Sequence, residues 1–359
     1  MQYRKLGNSG LLVSSLSLGT MQFGRAMNMG GLDQAQTSAM VRFALERGIN
    51  MIDTADVYSR GESETLLGHA IREVGDRDGI VLATKGRLPM SDDDFNHSGA
   101  TRKNLLREVD ASLRRLQTDY IDLYQVHGWD SLTPLDETLR ALDDLVRSGK
   151  VRYIGLSNYL SWQAATALGV QERQHLTKYV TAQMYYSLVG RDLEHEFLSF
   201  AEYHQLGILV WSPLAGGFLS GKYDRRHPAV AGTRFAEAGP FVPFDVERGY
   251  DVLDVVRAVA DRHGATPAQV AIAWLLLRPM ISSVIVAART TERLDENIRA
   301  AEILLASEDI QELDAVSDPG APYPQWMVRQ LDESEDPRPA TLEPERPRRR
   351  DLRGARWPG

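Results

Sequence analysis

Four residues of the 359-residue chain, Asp53, Tyr58, Lys85 and His127, are spaced so that they could work together on a proton, and three of them end a short apolar run. Asp53 follows Ile49–Ile52, Lys85 follows Ile80–Thr84, His127 follows Ile121–Val126, and Tyr58 stands five residues past Asp53. A phenol with a pKa of about 10 is a poor acid or base at neutral pH. A nearby ammonium favours the phenolate and lowers that value. On this reasoning Lys85 tunes Tyr58, Asp53 holds Lys85, and His127 orients or polarises a carbonyl oxygen. Together they would make a proton donor for a carbonyl being reduced. Each has a plainer alternative: a turn-capping aspartate, a half-buried ring, a solvated lysine, a satisfied core histidine. Four such residues at the same end of consecutive strands are harder to explain that way.

The elements that must position them alternate regularly. Residues 3–13 read as a hairpin around Gly7-Asn8-Ser9-Gly10 that could plug the bottom of a barrel. Short strands are expected at Leu16–Leu18, Ile49–Ile52, Ile80–Thr84, Ile121–Val126, Tyr153–Leu156, Val180–Ala182, Ile208–Val210 and Ser283–Val286. Helices are expected at Asp33–Arg47, Ser63–Glu73, Arg102–Leu116, Leu135–Ser148, Trp162–Ala167, Leu193–His204, Val252–His263, Pro267–Leu277 and Thr291–Ala301, with one more over 304–316. Glu62 and Glu64 lie near the positive end of the second helix. Eight strands separated by helices predict an α/β fold, a closed (β/α)8 TIM barrel, whose chemistry sits at the strand C-terminal ends. A doubly wound sheet fits less well, because no G-x-G-x-x-G follows the first strand.

The totals agree with a single large barrel, expected over residues 1–317. A net charge of −8 argues against a polyanion-binding body, and the absence of cysteine excludes thiolate metal sites and disulfides. No apolar run approaches the roughly 20 residues needed to span a bilayer, and Met1–Leu6 lacks a signal-peptide core. A cytoplasmic protein without nucleic-acid or membrane partners is the expectation. Residues 318–359 read as a tail, partly docked through Tyr323–Met327 and then Pro- and Arg-rich and disordered; Arg348-Arg349-Arg350 is read as solvated.

With these stretches set in order, the chain resembles the aldo-keto reductases. The matching pieces are Asp53-Thr54-Ala55-Asp56-x-Tyr58 with Gly61-x-Ser63-Glu64, Ala83-Thr84-Lys85, Asp122–His127, Gly155-Leu156-Ser157-Asn158, Gln183, Trp211–Gly217 and Leu294-Asp295-Glu296-Asn297. Each is weak alone; the ordered set over roughly residues 1–316 is specific. The resemblance implies NADPH as cofactor and reduction of aldehydes or ketones. It makes Tyr58 the general acid, Lys85 its pKa-lowering partner, Asp53 the orienter of Lys85 and His127 the carbonyl-orienting residue.

The same resemblance, beside residue chemistry, maps a cofactor site. Gly19, Thr20 and Met21 end the first strand. Ser157, Asn158 and Gln183 suit a nicotinamide carboxamide, and Trp211 offers a flat face to the ring where many relatives would have Tyr. Ser212, Pro213, Leu214, Gly216 and Lys222 form a small-residue loop that a pyrophosphate could approach closely. The loop 223–250 could close over the cofactor, and Arg234 resembles a contact position on it. Ala287, in place of a common Gly, precedes Arg289 and Arg293, which flank a helix N-terminus suited to a 2′-phosphate. Arg293 departs from the Gln common among close relatives. Glu296 and Asn297 resemble an adenine-contacting pair. Phe23, Trp129, Met21, Met27 and Trp326 could wall a substrate pocket open to bulky carbonyls such as aryl aldehydes, keto-sugars or polycyclic ketones. The competing reading is a cofactor-sensing regulatory subunit like the potassium-channel β subunits; a sugar-isomerase barrel would need metal ligands or a carboxylate pair. Oligomeric state is not legible.

Overall fold

In the computed structural model the described residues are 1–25, 31–227 and 242–332. The chain divides into a unit spanning Met1–Pro319 and a second one beginning at Gly320. The first opens with an antiparallel hairpin, β1 (Tyr3–Lys5) and β2 (Leu12–Ser14), paired Tyr3 to Ser14. Eight parallel strands then close a barrel: β3 (Leu16–Gly19), β4 (Met51–Asp53), β5 (Val81–Gly86), β6 (Ile121–Val126), β7 (Val151–Ser157), β8 (Tyr179–Tyr185), β9 (Gly207–Trp211) and β10 (Ile281–Val286). They run in sequence order, and β10 pairs with both β9 and β3.

The hairpin is a plug. Leu6 and Val13 are fully buried with Met51, Val81, Ala83, Leu123 and Leu209 in the interior cluster of the barrel. Gly7 allows this: a Cβ there would stand 2.0 Å from the Val180 carbonyl oxygen, so no other residue fits so close to β8. Arg4 fastens the plug by donating to the Ile281 carbonyl at 2.7 Å.

Helices α1 (Gln34–Glu46), α2 (Glu62–Val74), α3 (Arg102–Leu116), α4 (Leu135–Arg147), α5 (Ser161–Arg173) and α6 (Phe197–His204) follow successive strands. Sequence explains α3 well. Leu105, Val109, Ser112 and Leu116 repeat at helical spacing and are buried, and the Thr101 side chain caps the start by accepting from the Asn104 amide. Burial of each aliphatic side chain on that stripe contributes about 1.5–3 kcal/mol. After β9 come α7 (Val246–His263), α8 (Pro267–Leu276), α9 (Thr291–Ile298) and α10 (Ser307–Ser317). Helix α8 starts with a capping box between Thr266 and Gln269 and proline at its first turn. The described part of the second unit contains α11 (Gln325–Asp332).

Several expected boundaries move. The helix expected over Leu193–His204 is broken: a one-turn segment, Asp192–Glu194, is separated from α6 by Glu196, whose φ of −146° and ψ of −44° are not helical. Helix α5 continues to Arg173 because Leu168 and Val170 also bury. Helix α7 begins at Val246, inside the segment expected as loop 223–250, because Asp245 caps it by accepting from the Arg248 amide. The last barrel helix ends at Ile298 and gives way to a 3-10 turn, Arg299–Glu302. Arg234, Met27 and the Arg348–Arg350 run lie outside the described residues, as does the tail from 333 on.

Candidate active site

Asp53, Tyr58, Lys85 and His127 meet at the C-terminal mouth of the barrel. Asp53 is the last residue of β4, Lys85 lies in β5, and His127 directly follows β6, where its amide donates to the Gly86 carbonyl at 3.0 Å. Tyr58 opens a short 3-10 turn, Tyr58–Gly61, whose Ser59 and Arg60 have positive φ. Lys85 is fully buried, and its ammonium donates to Asp53 Oδ1 at 2.6 Å, to the Thr54 carbonyl at 2.8 Å and to Tyr58 Oη at 3.4 Å. The second oxygen of Asp53 accepts from Gln183 Nε2 at 2.8 Å and Gln125 Nε2 at 3.3 Å. The Tyr58 and His127 rings meet edge-on with centroids 6.0 Å apart.

The electrostatics differ in one respect from expectation. Burial raises the Tyr58 pKa, and the Lys85 ammonium only partly offsets it, so the net direction is upward rather than downward. For Lys85, burial pulls downward, but the Asp53 carboxylate, Tyr58 and their hydrogen bonds outweigh it and the pKa rises. Burial, then the Lys85 and Arg87 charges, push His127 down to about 3, so its imidazole is neutral at pH 7. Its Nδ1 is buried without a hydrogen-bond partner among the described residues. Beside the site, Glu64 is fully buried and accepts from Arg115 Nε and from Thr84 Oγ1, each at 2.6 Å. Burial, then the charges of Glu64 and Glu108, push the Asp56 carboxyl well above its usual range.

The residues expected around a cofactor fall into three groups. Ser157, Asn158, Gln183 and Trp211 form one chain of hydrogen bonds at the ends of β7, β8 and β9. Trp211 Nε1 donates to Asn158 Oδ1 at 3.0 Å, Asn158 Nδ2 to Ser157 Oγ at 3.0 Å, and Ser157 Oγ to the Gln183 carbonyl at 3.0 Å. Past β9, Ser212, Ala215, Gly216 and Gly217 all have positive φ, and a Cβ on Gly217 would meet nothing within 4 Å. This left-handed turn leaves its backbone open to close approach, the arrangement that forms anion-holding nests. Ser212 Oγ accepts from the Gly216 amide at 3.0 Å, Pro213 is buried, Leu214 is half-buried and Lys222 is exposed. At the start of α9 the Thr290 hydroxyl accepts from the Arg293 amide; Ala287 and Arg289 are exposed, and Arg293 pairs with Glu296. Asn297 is buried and donates to the Ala287 carbonyl.

Other expected residues sit differently. Gly19 is buried and Thr20 has no exposed surface, and Thr20 instead bonds the Asp53 carbonyl and Ser63; Met21 is half-buried. Phe23, expected in the pocket wall, lies in the apolar core at 1% exposure, bridged to Leu32. Trp129 is half-buried at the mouth, edge-on to Tyr159 at 5.2 Å and to Trp162 at 5.7 Å. Trp162, Gln125 and Arg87 were not singled out by sequence reasoning. No spacing in the sequence marks them; only the closed ring brings them to the mouth. Among the described residues no cluster of three or more His, Asp or Glu could hold a metal, and no helix is long and apolar enough to cross a membrane.

Known proteins are similar to this chain over most of its length. The model of the "Aldo/keto reductase family" matches residues 15–318. The chain is 37% identical over 334 residues to "Uncharacterized oxidoreductase YrpG" of Bacillus subtilis, covering 90% of this chain and 99% of that one. It is 34% identical over 342 residues to "Versiconal hemiacetal acetate reductase" of Aspergillus parasiticus, again 90% and 99%. It is 36% identical over 317 residues to "Probable voltage-gated potassium channel subunit beta" of Arabidopsis thaliana, 85% and 92%. A closed eight-stranded barrel with an ion pair and a phenol at its mouth, matched along nearly its whole barrel, thus belongs to the aldo/keto reductase family of oxidoreductases.

Proposed function

We propose that the protein is an NADPH-dependent reductase of aldehydes or ketones. The observation that carries this is the buried Asp53–Lys85 pair with its ammonium 3.4 Å from Tyr58 Oη. When bound, the nicotinamide cofactor supplies the hydride. The donor set fits such a group: Ser157, Asn158 and Gln183 for the carboxamide, Trp211 for the ring face, and the open turn 212–217 with Lys222 for the pyrophosphate. Arg289 and Arg293, at the start of α9, would hold the 2′-phosphate, with Glu296 and Asn297 beside the adenine. Tyr58 Oη gives its proton to the carbonyl oxygen, and the Lys85 ammonium stabilises the phenolate that develops. Neutral His127 fixes the carbonyl by hydrogen bonding, and Asp53 keeps Lys85 in place and charged.

Tyr58→Phe is the direct test. Turnover of aryl aldehydes with NADPH falls by about 100-fold or more, the scale of a lost general acid, while NADPH still quenches tryptophan fluorescence with nearly unchanged affinity. Wild-type turnover in that variant sinks the mechanism. A second reading, a cofactor-holding subunit of a larger assembly, draws on the likeness to the Arabidopsis protein and on exposed Leu160 and Tyr203 near a groove of about 350 Å³. Binding of NADPH without turnover of any carbonyl would favour it.

A further inference from the structure

Arg87 stands one residue beyond β5, two past Lys85, with φ of +125°, a region where glycine is the residue of low cost. Its carbonyl is tied down by the Gly99 amide at 2.8 Å, so the strain belongs to an ordered turn. Strain of this kind persists where the surroundings impose it and concentrates at functional sites. The side chain crosses to the loop after β6, where one guanidinium nitrogen donates to the Trp129 carbonyl at 2.8 Å. Its Nε is buried without a hydrogen-bond partner; it forms no ion pair within 4 Å among the described residues, and its charge also acts on the Asp130 carboxylate. The guanidinium is close enough to His127 for its charge to act on the imidazole. A half-buried cation with unspent donors thus stands between the carbonyl-orienting histidine and the aromatic wall of Trp129, Tyr159 and Trp162.

We propose that Arg87 is a specificity-determining residue that anchors a carboxylate on the substrate, so that the preferred substrates are aldehydes or ketones bearing an acid group on an aromatic or acyl frame. A guanidinium matches a carboxylate in two-point geometry through its terminal nitrogens; Nη1 makes no hydrogen bond among the described residues, while Nε is buried out of a ligand's reach. This rests on the reductase reading for turnover but not for binding.

The experiment compares 4-carboxybenzaldehyde with neutral 4-methylbenzaldehyde in wild type, Arg87→Gly and Arg87→Lys. One arm measures kcat/KM with NADPH. The other measures binding of each aldehyde by calorimetry in the presence of NADP+, which cannot reduce them. Wild type should prefer the carboxylate in both arms. Arg87→Gly should lower that preference by about 10- to 100-fold, the worth of a charged hydrogen bond. Arg87→Lys should restore part of it. Glycine takes the φ of this position freely but gives up the bond to the Trp129 carbonyl and adds freedom to the unfolded chain, so the melting temperature of Arg87→Gly should fall only modestly. If that variant does not fold, Arg87→Lys decides, since it keeps the charge and loses the fork. Equal binding of the two aldehydes by wild type, or a preference unchanged in both variants, overturns the proposal. A binding preference lost in Arg87→Gly, with no turnover of either aldehyde by wild type, leaves Arg87 standing and removes the reductase reading.

Discussion

Asp53→Asn isolates the ion pair at the centre of the site. The substitution keeps shape, and Gln183 can turn its amide oxygen to meet the new NH2. What it removes is the only carboxylate within 2.6 Å of an ammonium that has no exposed surface. Breaking one partner of such a pair costs about 3–5 kcal/mol. Lys85 can limit that cost by releasing its proton. With Asp53 gone, burial, the largest influence on Lys85 and a downward one, is no longer outweighed, so the folded pKa drops below the unfolded value of about 10.4. Between those two values the unfolded chain binds the extra proton, so the variant gains stability as pH rises, at up to about 1.4 kcal/mol per pH unit. In wild type the Lys85 pKa is raised, its contribution is complete below about 10.4, and it is lost only above that. Urea unfolding of both proteins at pH 6, 7, 8 and 9 should therefore show a stability gap that is largest at pH 6 and narrows toward pH 9. A gap below about 1 kcal/mol, or one that ignores pH, would refute the view that Asp53 keeps a buried lysine charged.

Two further outcomes follow from the same geometry. Arg289→Ala and Arg293→Ala should each weaken NADPH by about 10-fold, the loss of a charged hydrogen bond, with NADH little changed in fluorescence titrations; equal losses for both cofactors would remove the 2′-phosphate role. His127, with a folded pKa of about 3 against 6.5 unfolded, contributes stability that is present above pH 6.5 and lost as pH falls toward 3. His127→Gln should flatten the acid side of the urea-stability profile between pH 6 and pH 4, and an unaltered slope there would show that His127 is not held neutral by burial.

The barrel was legible because its strands are short apolar runs, each stopped by a polar residue, and the helices between them carry 3.6-residue stripes. The same punctuation exposed Asp53, Lys85 and His127, since a strand's last residue in such a fold is at the mouth by construction. What the sequence left unread depends on closure of the ring. Gln125 and Gln183 share one Asp53 oxygen although they are 72 and 130 residues away from it, a meeting that only the β4, β6 and β8 spacing around a barrel produces. The Lys85 charge does pull the Tyr58 pKa down, as the sequence implies, but the burial that outweighs it and sets the net upward direction is tertiary. Phe23 reads as a pocket aromatic until its pairing with Leu32 turns it inward. Arg87 carries no sign of its strained φ, because an arginine after a strand looks like any solvated cation.

The raised pKa of Tyr58 looks at first like an obstacle to the proposed mechanism, yet it fits Tyr58 as the proton donor in that mechanism. At neutral pH the proposed site holds a protonated phenol, a neutral imidazole and one ammonium already engaged with Asp53. Burial removes imidazolium as a donor, and loss of a proton from Lys85 would leave the Asp53 carboxylate buried without its cation. The phenol remains. Its reluctance in the ground state is partly lifted only as negative charge forms on its oxygen, because the attraction of the ammonium 3.4 Å away is weak for a neutral phenol and strong for a phenolate. An interaction that strengthens along the reaction lowers the barrier rather than merely binding the reactant. In the proposed reaction Lys85 would thus act on the transition state, and the burial that raises the Tyr58 pKa would also remove the water that screens this attraction.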